Sequence, residues 1–140
     1  MRIKIKKLKE NAKLPKYHHP GDVGMDLYAT ETVIIKPGEH YILWHGFALE
    51  FPDGYAAIVK DKSSISKAQL HTMGGVFDPG YRGEYNTHLV NLGTESYTIE
   101  EGDKVSQLII YPVVIAELEE VAELSDSSRG EGSFGSTGKK

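Results

Sequence analysis

Residues 41–60 read Tyr-Ile-Leu-Trp-His-Gly-Phe-Ala-Leu-Glu-Phe-Pro-Asp-Gly-Tyr-Ala-Ala-Ile-Val-Lys, and they are the clearest indication of the fold. They contain three short runs rich in β-branched and aromatic residues, at 41–45, 47–51 and 55–60. The tripeptide Pro52-Asp53-Gly54 separates the second run from the third and favours a tight turn. Short strands joined by turns at such close intervals are typical of a β-sandwich or β-barrel.

The rest of the chain continues this pattern. Further strands are predicted at 3–8, 32–36, 85–90, 96–100 and 105–114, with Gly, Pro and Asp between them. No long segment shows the apolar spacing of a helix. Two segments are ambiguous: residues 63–69 fit a helical turn capped by Ser63 or Ser64, and residues 116–124 fit either a helix or an edge strand. The sequence therefore predicts an all-β fold.

Size and composition set limits on the function. The chain has 140 residues, of which 39% are hydrophobic, so one globular domain with a real core is expected. We place this domain at 1–124 and a flexible, glycine-rich C-terminal tail at 125–140. A net charge of −4 argues against a general nucleic-acid binder, and the lack of cysteine excludes disulfides and thiolate metal sites.

The location is inferred from apolar segments. The longest apolar run, residues 108–116, is too short to span a membrane and contains Pro112. Nothing resembles a signal peptide. We therefore expect a soluble, cytoplasmic protein without a membrane partner.

Two polar clusters come from the first half of the chain. Asp26 lies at a strand entrance beside glycine, where a carboxylate can orient metal-bound water, although a plain surface turn is equally compatible. Lys62-Ser63-Ser64 combines a cation with two hydroxyls, which suits a phosphate site if the backbone amides lead a helical turn. A solvated turn with a capping serine is the alternative.

Two more clusters follow. Asp78 stands between an apolar strand end and Pro79-Gly80, so we expect it to be partly desolvated and able to act as a general base. Tyr81 can lie flat against a sugar or a base, although a simple β-turn explains the same residues. Gln107 is a polar residue in an apolar strand and needs a hydrogen-bond partner if it is buried.

The tail from Arg129 onward contains glycines, hydroxyl residues and cations around one aromatic ring, Phe134. Such a composition cannot build a core. Arg129 and the hydroxyls suit phosphate oxygens, and Phe134 can stack on a base. A frayed terminus is the alternative.

Taken together, these clusters resemble the five ordered motifs of the homotrimeric dUTP diphosphatases (dUTPases). Residues 20–29 resemble the family's Ala-Gly-Tyr-Asp-Leu motif, and Lys62-Ser63-Ser64 stands where the family has Arg-Ser-Gly or Arg-Ser-Ser. Residues 75–83 resemble Gly-Val-Ile-Asp-x-x-Tyr-Arg-Gly, and residues 102–110 resemble Gly-Asp-Arg-x-x-Gln-Leu. The tail resembles the terminal Arg-Gly-x-Gly-Gly-Phe-Gly-Ser-Thr-Gly. Five motifs in order, over nearly the whole chain, make a specific resemblance.

The resemblance implies a jelly-roll-like distorted β-barrel and three active sites at subunit interfaces, each closed by the tail of another chain. It implies hydrolysis of dUTP to dUMP and pyrophosphate, with Asp78 as the base that activates water for attack on the α-phosphorus. Mg2+ would be held mainly by the triphosphate, with Asp26 ordering its waters.

The resemblance also implies the binding residues. Tyr81 would pack on the deoxyribose, and the hairpin around 75–86 would read the uracil edge, with Thr72 nearby. Phosphate contacts would come from Lys62, Ser63, Ser64 and Gln107, and from the tail. The full set of implied substrate-binding residues is Lys62, Ser63, Ser64, Thr72, Gly75, Val76, Phe77, Tyr81, Asn86, Gln107, Arg129, Phe134, Gly135, Ser136 and Thr137.

The chain departs from the family pattern at several positions. Lys62 replaces an arginine and keeps its charge without its bidentate geometry. Asp61 replaces a usual proline. Tyr85-Asn86-Thr87-His88 is bulky and polar where the family hairpin usually has a small residue among aliphatics, so we expect these residues to alter base selectivity. The alternative is that His88 faces a central channel of the trimer.

Two rival functions share the implied scaffold. The dCTP deaminases carry a catalytic glutamate ten residues beyond the corresponding aspartate, where this chain has His88, which argues against a deaminase. A catalytically silent nucleotide-binding regulatory module is the other rival. The presence of Asp78, Tyr81, Arg129 and Phe134 favours an active enzyme.

Overall fold

The computed structural model describes residues 1–133. Within them the chain forms eleven strands and one short helix. The elements are β1 Lys4–Lys7, β2 Met25–Tyr28, β3 Val33–Ile35, β4 His40–Trp44, β5 Phe47–Glu50, β6 Tyr55–Lys60, α1 Ser63–Lys67, β7 Leu70–Met73, β8 Val76–Phe77, β9 Asn86–Asn91, β10 Tyr97–Ile99 and β11 Lys104–Pro112. The one helix among these residues, α1, has five residues and is too short to span a membrane.

The strands form an all-β, jelly-roll-like distorted barrel, as expected. The largest sheet has the order β2-β11-β6-β8, and a three-stranded sheet has the order β4-β9-β7. Two antiparallel strand pairs, β1-β5 and β10-β3, complete the barrel. Neighbours in these sheets are mostly distant in sequence, so most of the barrel depends on long-range pairing.

Side chains alternate between buried and more exposed positions along the strands, and the buried ones from both larger sheets fill the interior. In β9 the side chains of Thr87, Leu89 and Asn91 are buried, and the residues between them are only half-buried. This is the two-residue period of a strand with one face on the core. Two buried clusters result: one contains Leu27, Phe47, Leu49, Phe51, Ala57, Val59, Tyr85 and Leu108, and the other contains Ala29, Ile35, Leu43, Ile65, Leu70, Leu89, Ile99 and Val105.

Two local predictions need correction. The helical turn begins at Ser63, but the preceding residue Lys62 occupies the cap position, and no side chain in the described part of the chain caps the helix. The helix is instead held to the barrel by the buried side chain of Ile65. Residues 116–124 form neither a helix nor a strand, and every residue from 111 to 133 is exposed. Three apolar residues among glutamates gave no face wide enough to bury.

Candidate active site

A cavity of about 360 Å3 lies beside β2, β11 and the segment that follows β6. Polar and charged groups from sequence positions more than 80 residues apart meet in it. Its lining residues are His18, His19, Asp22, Val23, Gly24, Asp26, Lys62, Lys104 and Gln107. Three residues predicted from separate motifs, Asp26, Lys62 and Gln107, therefore share one cavity.

Asp26 is the buried anion of this cavity. It lies on β2 and is only 5% exposed. One carboxylate oxygen pairs with Lys62, and the other lies 2.8 Å from the Lys104 ammonium. Burial opposes ionisation of Asp26, but the hydrogen bonds and charges of Lys104 and Lys62 outweigh it and hold the pKa of Asp26 below its usual range. The carboxylate stays ionised at neutral pH and fixes two lysines at the cavity.

Gln107 is the neutral donor of the cavity. Its side-chain amide donates a 2.8 Å hydrogen bond to the backbone oxygen of Asp61, so the predicted polar partner exists. Gly24 makes room for it, because a methyl group at Gly24 would overlap with the Gln107 side-chain oxygen. This close approach explains why the segment before Asp26 needs glycine.

Lys104 is a cavity residue that sequence reasoning missed. It lies three positions before Gln107, and in a regular strand an odd separation would place the two side chains on opposite faces. The register between β11 and β2 shifts between Lys104 and Ser106, where two steps on β11 face one step on β2. Such a bulge re-aims a side chain, and both residues line the cavity. The sequence signal was present: Lys104 stands at the arginine position of the Gly-Asp-Arg-x-x-Gln-Leu motif that residues 102–110 resemble.

Ser63 and Ser64 are exposed at the start of α1, directly after Lys62. Ser64 lines a neighbouring cavity that it shares with Lys104. The two serines thus lie at the edge of the Asp26–Lys62 cavity rather than among its lining residues.

A second group of predicted residues lies around β8. The chain turns between β7 and β8 through Gly74 and Gly75, with φ of +65° and +83°. The backbone oxygen of Gly75 accepts a 2.8 Å hydrogen bond from the Val59 amide, which attaches this turn to β6. Val76 is exposed and Phe77 is half-buried. Asp78, at the end of β8, is exposed in the single chain, so the expected desolvation of this carboxylate is not met within one chain.

Tyr81 folds back over this group. Its hydroxyl donates to the backbone oxygen of Glu84 at 2.9 Å, and its ring centroid lies 5.6 Å from Phe77 and 5.9 Å from Tyr85. A methyl group at Gly83 would overlap with the Tyr81 ring, so the fold-back requires glycine there. Tyr81 remains 36% exposed, which leaves part of the ring free for a ligand.

Residues 85–88, at the start of β9 and directly before it, alternate between two faces. Tyr85 and Thr87 are buried at 0% and 1% exposure, and Tyr85 stacks on Phe77 with ring centroids 4.3 Å apart. Asn86 and His88 lie on the other face, where a His88 ring nitrogen is 3.0 Å from one of His40. Two of the four unusual residues are therefore core residues, which sequence comparison alone could not distinguish from base contacts.

The two groups lie apart within one chain. Phe77, next to Asp78, pairs with Ala57 on β6, whereas Gln107 pairs with Lys60. Ala57 and Lys60 are three residues apart along β6, or about 10 Å. In addition, β8 and β11 flank β6 on opposite sides. The chain therefore separates the Asp26–Lys62 cavity from Asp78 and Tyr81.

The remaining predicted residues occupy other places. Thr72 is buried on β7, and its amide donates to the Asp61 carboxylate at 2.7 Å. Asn86 pairs with Trp44 at the start of β9. Arg129 is exposed, and its Nε donates to the Gly132 backbone oxygen at 2.9 Å. Phe134, Gly135, Ser136 and Thr137 lie outside the described residues.

Comparison with known proteins gives consistent results. A family model described as dUTPase matches residues 10–138. The chain is 44% identical to the deoxyuridine 5'-triphosphate nucleotidohydrolase of Clostridium tetani, with 98% of this chain and 97% of that protein covered. It is 43% identical to the protein of the same name from Crocosphaera subtropica, with 99% of each covered.

Solved structures agree with these sequence relatives. The dUTPase of Staphylococcus bacteriophage 80alpha with dUpNHpp has a TM-score of 0.92 and 30% identity, with 98% of each chain covered. A mutant dUTPase from phage phi11 of S. aureus, described as showing the coordination of a structural Mg(II) ion, has a TM-score of 0.84 and 27% identity. That match covers 90% of this chain and 100% of the phage chain.

Proposed function

This chain belongs to the dUTPase family and hydrolyses dUTP to dUMP and pyrophosphate, and we propose how its residues carry out this reaction. One observation carries the proposal: the cavity beside β2 and β11 joins Lys62, Lys104, Gln107 and Asp26 from distant parts of the chain. Two ammonium groups, an amide and a carboxylate are suited to holding a triphosphate and its cation. We therefore assign this cavity to the phosphates of dUTP.

The lysines of the cavity are arranged before the substrate arrives. Each ammonium has three donors, and Asp26 takes only some of them, so Lys62 and Lys104 keep donors for phosphate oxygens. Ser63 and Ser64 add hydroxyl donors at the edge of the cavity. Because the lysines are already held by a buried carboxylate, little side-chain entropy is lost when phosphate binds.

Magnesium is the cofactor, and the residues of the cavity fit it. Within residues 1–133 no cluster of three or more His, Asp or Glu could hold a metal ion alone. Mg2+ keeps several waters and is commonly bound by one or two carboxylates together with substrate phosphates, which matches a lone buried Asp26 beside a phosphate cavity. Asp26 would order the waters of the ion, and bound Mg2+ would neutralise charge on the phosphate oxygens.

Asp78 is the general base of the proposed reaction. Its carboxylate takes a proton from water, and the water oxygen forms a bond to the α-phosphorus. The bond from that phosphorus to the bridging oxygen breaks, and pyrophosphate leaves with that oxygen and its electron pair. Cations around the phosphates stabilise the charge that develops on the leaving group.

The nucleoside half of dUTP is assigned to the group around β8. Backbone groups of Gly75, Val76, Phe77 and Asn86 would read the uracil edge, with Thr72 nearby. The exposed part of the Tyr81 ring would pack on the deoxyribose and exclude a ribose 2'-hydroxyl. The fixed position of Tyr81 over Phe77 and Tyr85 supports this role, because a rigid ring rejects an extra hydroxyl better than a mobile one.

We propose that the complete site forms in a homotrimer. Within one chain, Asp78 and the Asp26–Lys62 cavity lie on different sides of β6, yet one water must contact Asp78 and the α-phosphorus together. A second copy that supplies Asp78 to the cavity of the first removes this conflict. Contact with another copy would also desolvate the exposed Asp78 carboxylate.

An extended arm after β11 gives independent support for association. Val114, Ile115, Leu118 and Leu124 are between 84% and 93% exposed. Apolar side chains exposed in such a series mark an interaction surface. Another copy of the chain is the partner that would bury them, since the arm leads directly to residues assigned to the substrate.

The tail at 125–140 is proposed to close over the bound nucleotide, beyond a β domain at 1–124. Arg129, Ser136 and Thr137 would hold the distal phosphates, and Phe134 with Gly135 would cover the uracil. The exposed Arg129 guanidinium, whose described contact uses only Nε, supports this role because its other donors are available to phosphate.

The cytoplasm is the proposed location. The substrate is a highly charged nucleotide that does not cross an apolar bilayer unaided. The protein must therefore share a compartment with the nucleotide pool that supplies DNA synthesis.

The direct test is incubation of the purified protein with Mg2+ and each deoxy- and ribonucleoside triphosphate. We expect dUTP alone to give monophosphate and pyrophosphate at a substantial rate. Turnover of a triphosphate with another base would show that the hairpin around 75–86 does not select uracil. Binding of dUTP without turnover would instead favour a silent regulatory module.

Asp78→Asn tests the assigned base. The amide cannot accept the proton, so we expect kcat to fall at least about a thousandfold, within the range found for loss of a general base. The affinity for dUpNHpp, measured by calorimetry, should stay within a few-fold of the unsubstituted protein. An undiminished kcat would overturn the assignment of Asp78.

A further inference from the structure

We infer that Asp61 is a positioning residue, whose carboxylate holds the Lys62–Ser64 segment in place to bind the substrate phosphates. The inference rests on the proposed function, since it assumes that this segment receives the triphosphate. Asp61 was outside the predicted site. It joins the end of β6 to Lys62, so any shift of Asp61 is passed directly to that lysine.

The Asp61 side chain bridges two groups of β7. One oxygen accepts a 2.7 Å hydrogen bond from the Thr72 amide, and the other accepts a 2.6 Å hydrogen bond from Nδ1 of His71. The side chain is 22% exposed. Burial opposes ionisation, but the hydrogen bonds from His71 and Thr72 outweigh it and lower the pKa of Asp61. An ionised acceptor with two donors makes stronger hydrogen bonds than a neutral one.

The backbone of Asp61 is fixed as well. Its carbonyl oxygen accepts the Gln107 side-chain amide at 2.8 Å, and Gln107 lines the phosphate cavity. One residue is therefore tied to β7 through its carboxylate and to β11 through its carbonyl. The next residue, Lys62, pairs with Asp26 of β2. Asp61 connects these strands at the edge of the cavity.

A purely structural role would give a different result. If Asp61 only joins β6 to β7, its loss should lower the free energy of unfolding. Any loss of affinity should then be the same for the phosphates and for the nucleoside. A positioning role should weaken binding of the phosphates in particular, because Lys62, Ser63 and Ser64 follow Asp61. The nucleoside half should lose much less affinity, because Thr72, the residue near the uracil that Asp61 contacts, also stays paired with Leu89 on β9.

The experiment compares Asp61→Ala with Asp61→Asn in the full-length protein. We expect Asp61→Ala to raise KM for dUTP and to weaken dUpNHpp binding about tenfold, the equivalent of one charge-assisted hydrogen bond. Binding of deoxyuridine, followed by NMR titration, should change less than twofold. Asp61→Asn keeps a neutral acceptor oxygen for the Thr72 amide but loses the charge, so we expect it to restore part of the affinity, to within about threefold of the unsubstituted protein.

Two further variants keep the test decisive if Asp61→Ala folds poorly. His71→Ala removes one of the two donors and should weaken dUpNHpp binding about threefold. Glu39→Ala is the matched control, because its carboxylate accepts the Lys36 amide in a turn away from the cavity. It should leave dUpNHpp binding unchanged.

The outcomes separate this inference from the proposed function. Asp61 variants that bind dUpNHpp as tightly as the unsubstituted protein, or lose deoxyuridine and dUpNHpp binding equally, would overturn the positioning role. An unsubstituted protein that binds dUpNHpp without hydrolysing dUTP would overturn the proposed enzyme activity alone. A selective loss of phosphate affinity would still support the role of Asp61 in that case.

Discussion

His45 is a histidine buried completely in the core, and its contacts define its tautomer. Nδ1 lies 2.8 Å from the Tyr28 backbone oxygen, which can only accept, so Nδ1 carries the hydrogen. Nε2 therefore accepts from the Thr87 hydroxyl at 2.7 Å, and Thr87 accepts from Ser106 at 2.6 Å. Every polar atom in this chain of hydrogen bonds is satisfied while His45 is neutral, and desolvation lowers the pKa of His45 to about 4.

This buried histidine predicts a loss of stability in mild acid. The unfolded chain binds a proton at His45 near pH 6.5 and the folded chain only near pH 4, so stability is full above pH 6.5 and falls as the pH drops between these values. The expected loss of unfolding free energy is roughly 2 kcal/mol per chain between pH 7.5 and pH 5. Urea unfolding at one protein concentration measures it.

His45→Gln is the control for this effect. Glutamine does not titrate, so its unfolding free energy should be lower at pH 7.5 but should depend less on pH over the same interval. Equal pH dependence in both proteins would contradict the role of His45.

At the scale of elements, the turn between β7 and β8 determines where Phe77 and Asp78 lie. Both glycines of the turn have left-handed φ values, yet their surroundings differ. A Cβ on Gly75 would lie 2.9 Å from the Val59 backbone oxygen, whereas a Cβ on Gly74 would meet no atom of residues 1–133 within 4 Å. The close contact at Gly75 lets β8 approach β6.

This difference predicts unequal costs for two matched substitutions. Gly74→Ala should lower the unfolding free energy by about 1 kcal/mol through backbone strain alone. Gly75→Ala should cost about 1–3 kcal/mol more, because the methyl group must also push against the backbone of β6. Thermal unfolding and kcat should both be measured, since a displaced β8 moves Asp78. Equal costs would show that the contact with Val59 can relax.

At the scale of the whole molecule, the sheet order separates two groups of residues that the proposed function assigns to one site. The order β2-β11-β6-β8 places the cavity with Lys62 and Gln107 on one side of β6 and Asp78 on the other. The exposed arm from residue 113 onward offers apolar side chains to another copy. Assembly and catalysis are therefore coupled in the proposed enzyme.

Subunit mixing tests this coupling. Asp78→Asn and Lys62→Met chains should each be inactive alone. After unfolding together and refolding at equal amounts, about a quarter of the sites, one half times one half, should combine an intact Asp78 from one chain with an intact Lys62 from another. The measurement is kcat/KM of the mixture against each variant refolded alone. Activity that remains at the level of the separate variants would contradict a shared site.

The local sequence was sufficient for much of the fold. Strands β1, β3 to β6 and β9 to β11 were predicted near their observed positions, because apolar runs bounded by Gly, Pro and Asp leave few alternatives to a strand. Strands β2 and β8 were expected only as a strand entrance at Asp26 and a strand end before Asp78, without bounds, and β7 was not predicted. Polar and glycine-rich neighbours obscure the pattern of these three strands, which pair with β11, β6 and β9.

By itself, the sequence determined the all-β class, the family and the residue types of the proposed site, because these depend on local composition and on the order of motifs. Only the tertiary structure decided which of those residues meet. A bulge in β11 brings Lys104 into the cavity that Gln107 lines, alternation at the start of β9 buries Tyr85 and Thr87, and sheet order separates Asp78 from Lys62. Each of these results depends on long-range strand register, which local sequence does not encode: one residue of shift turns a side chain to the opposite face.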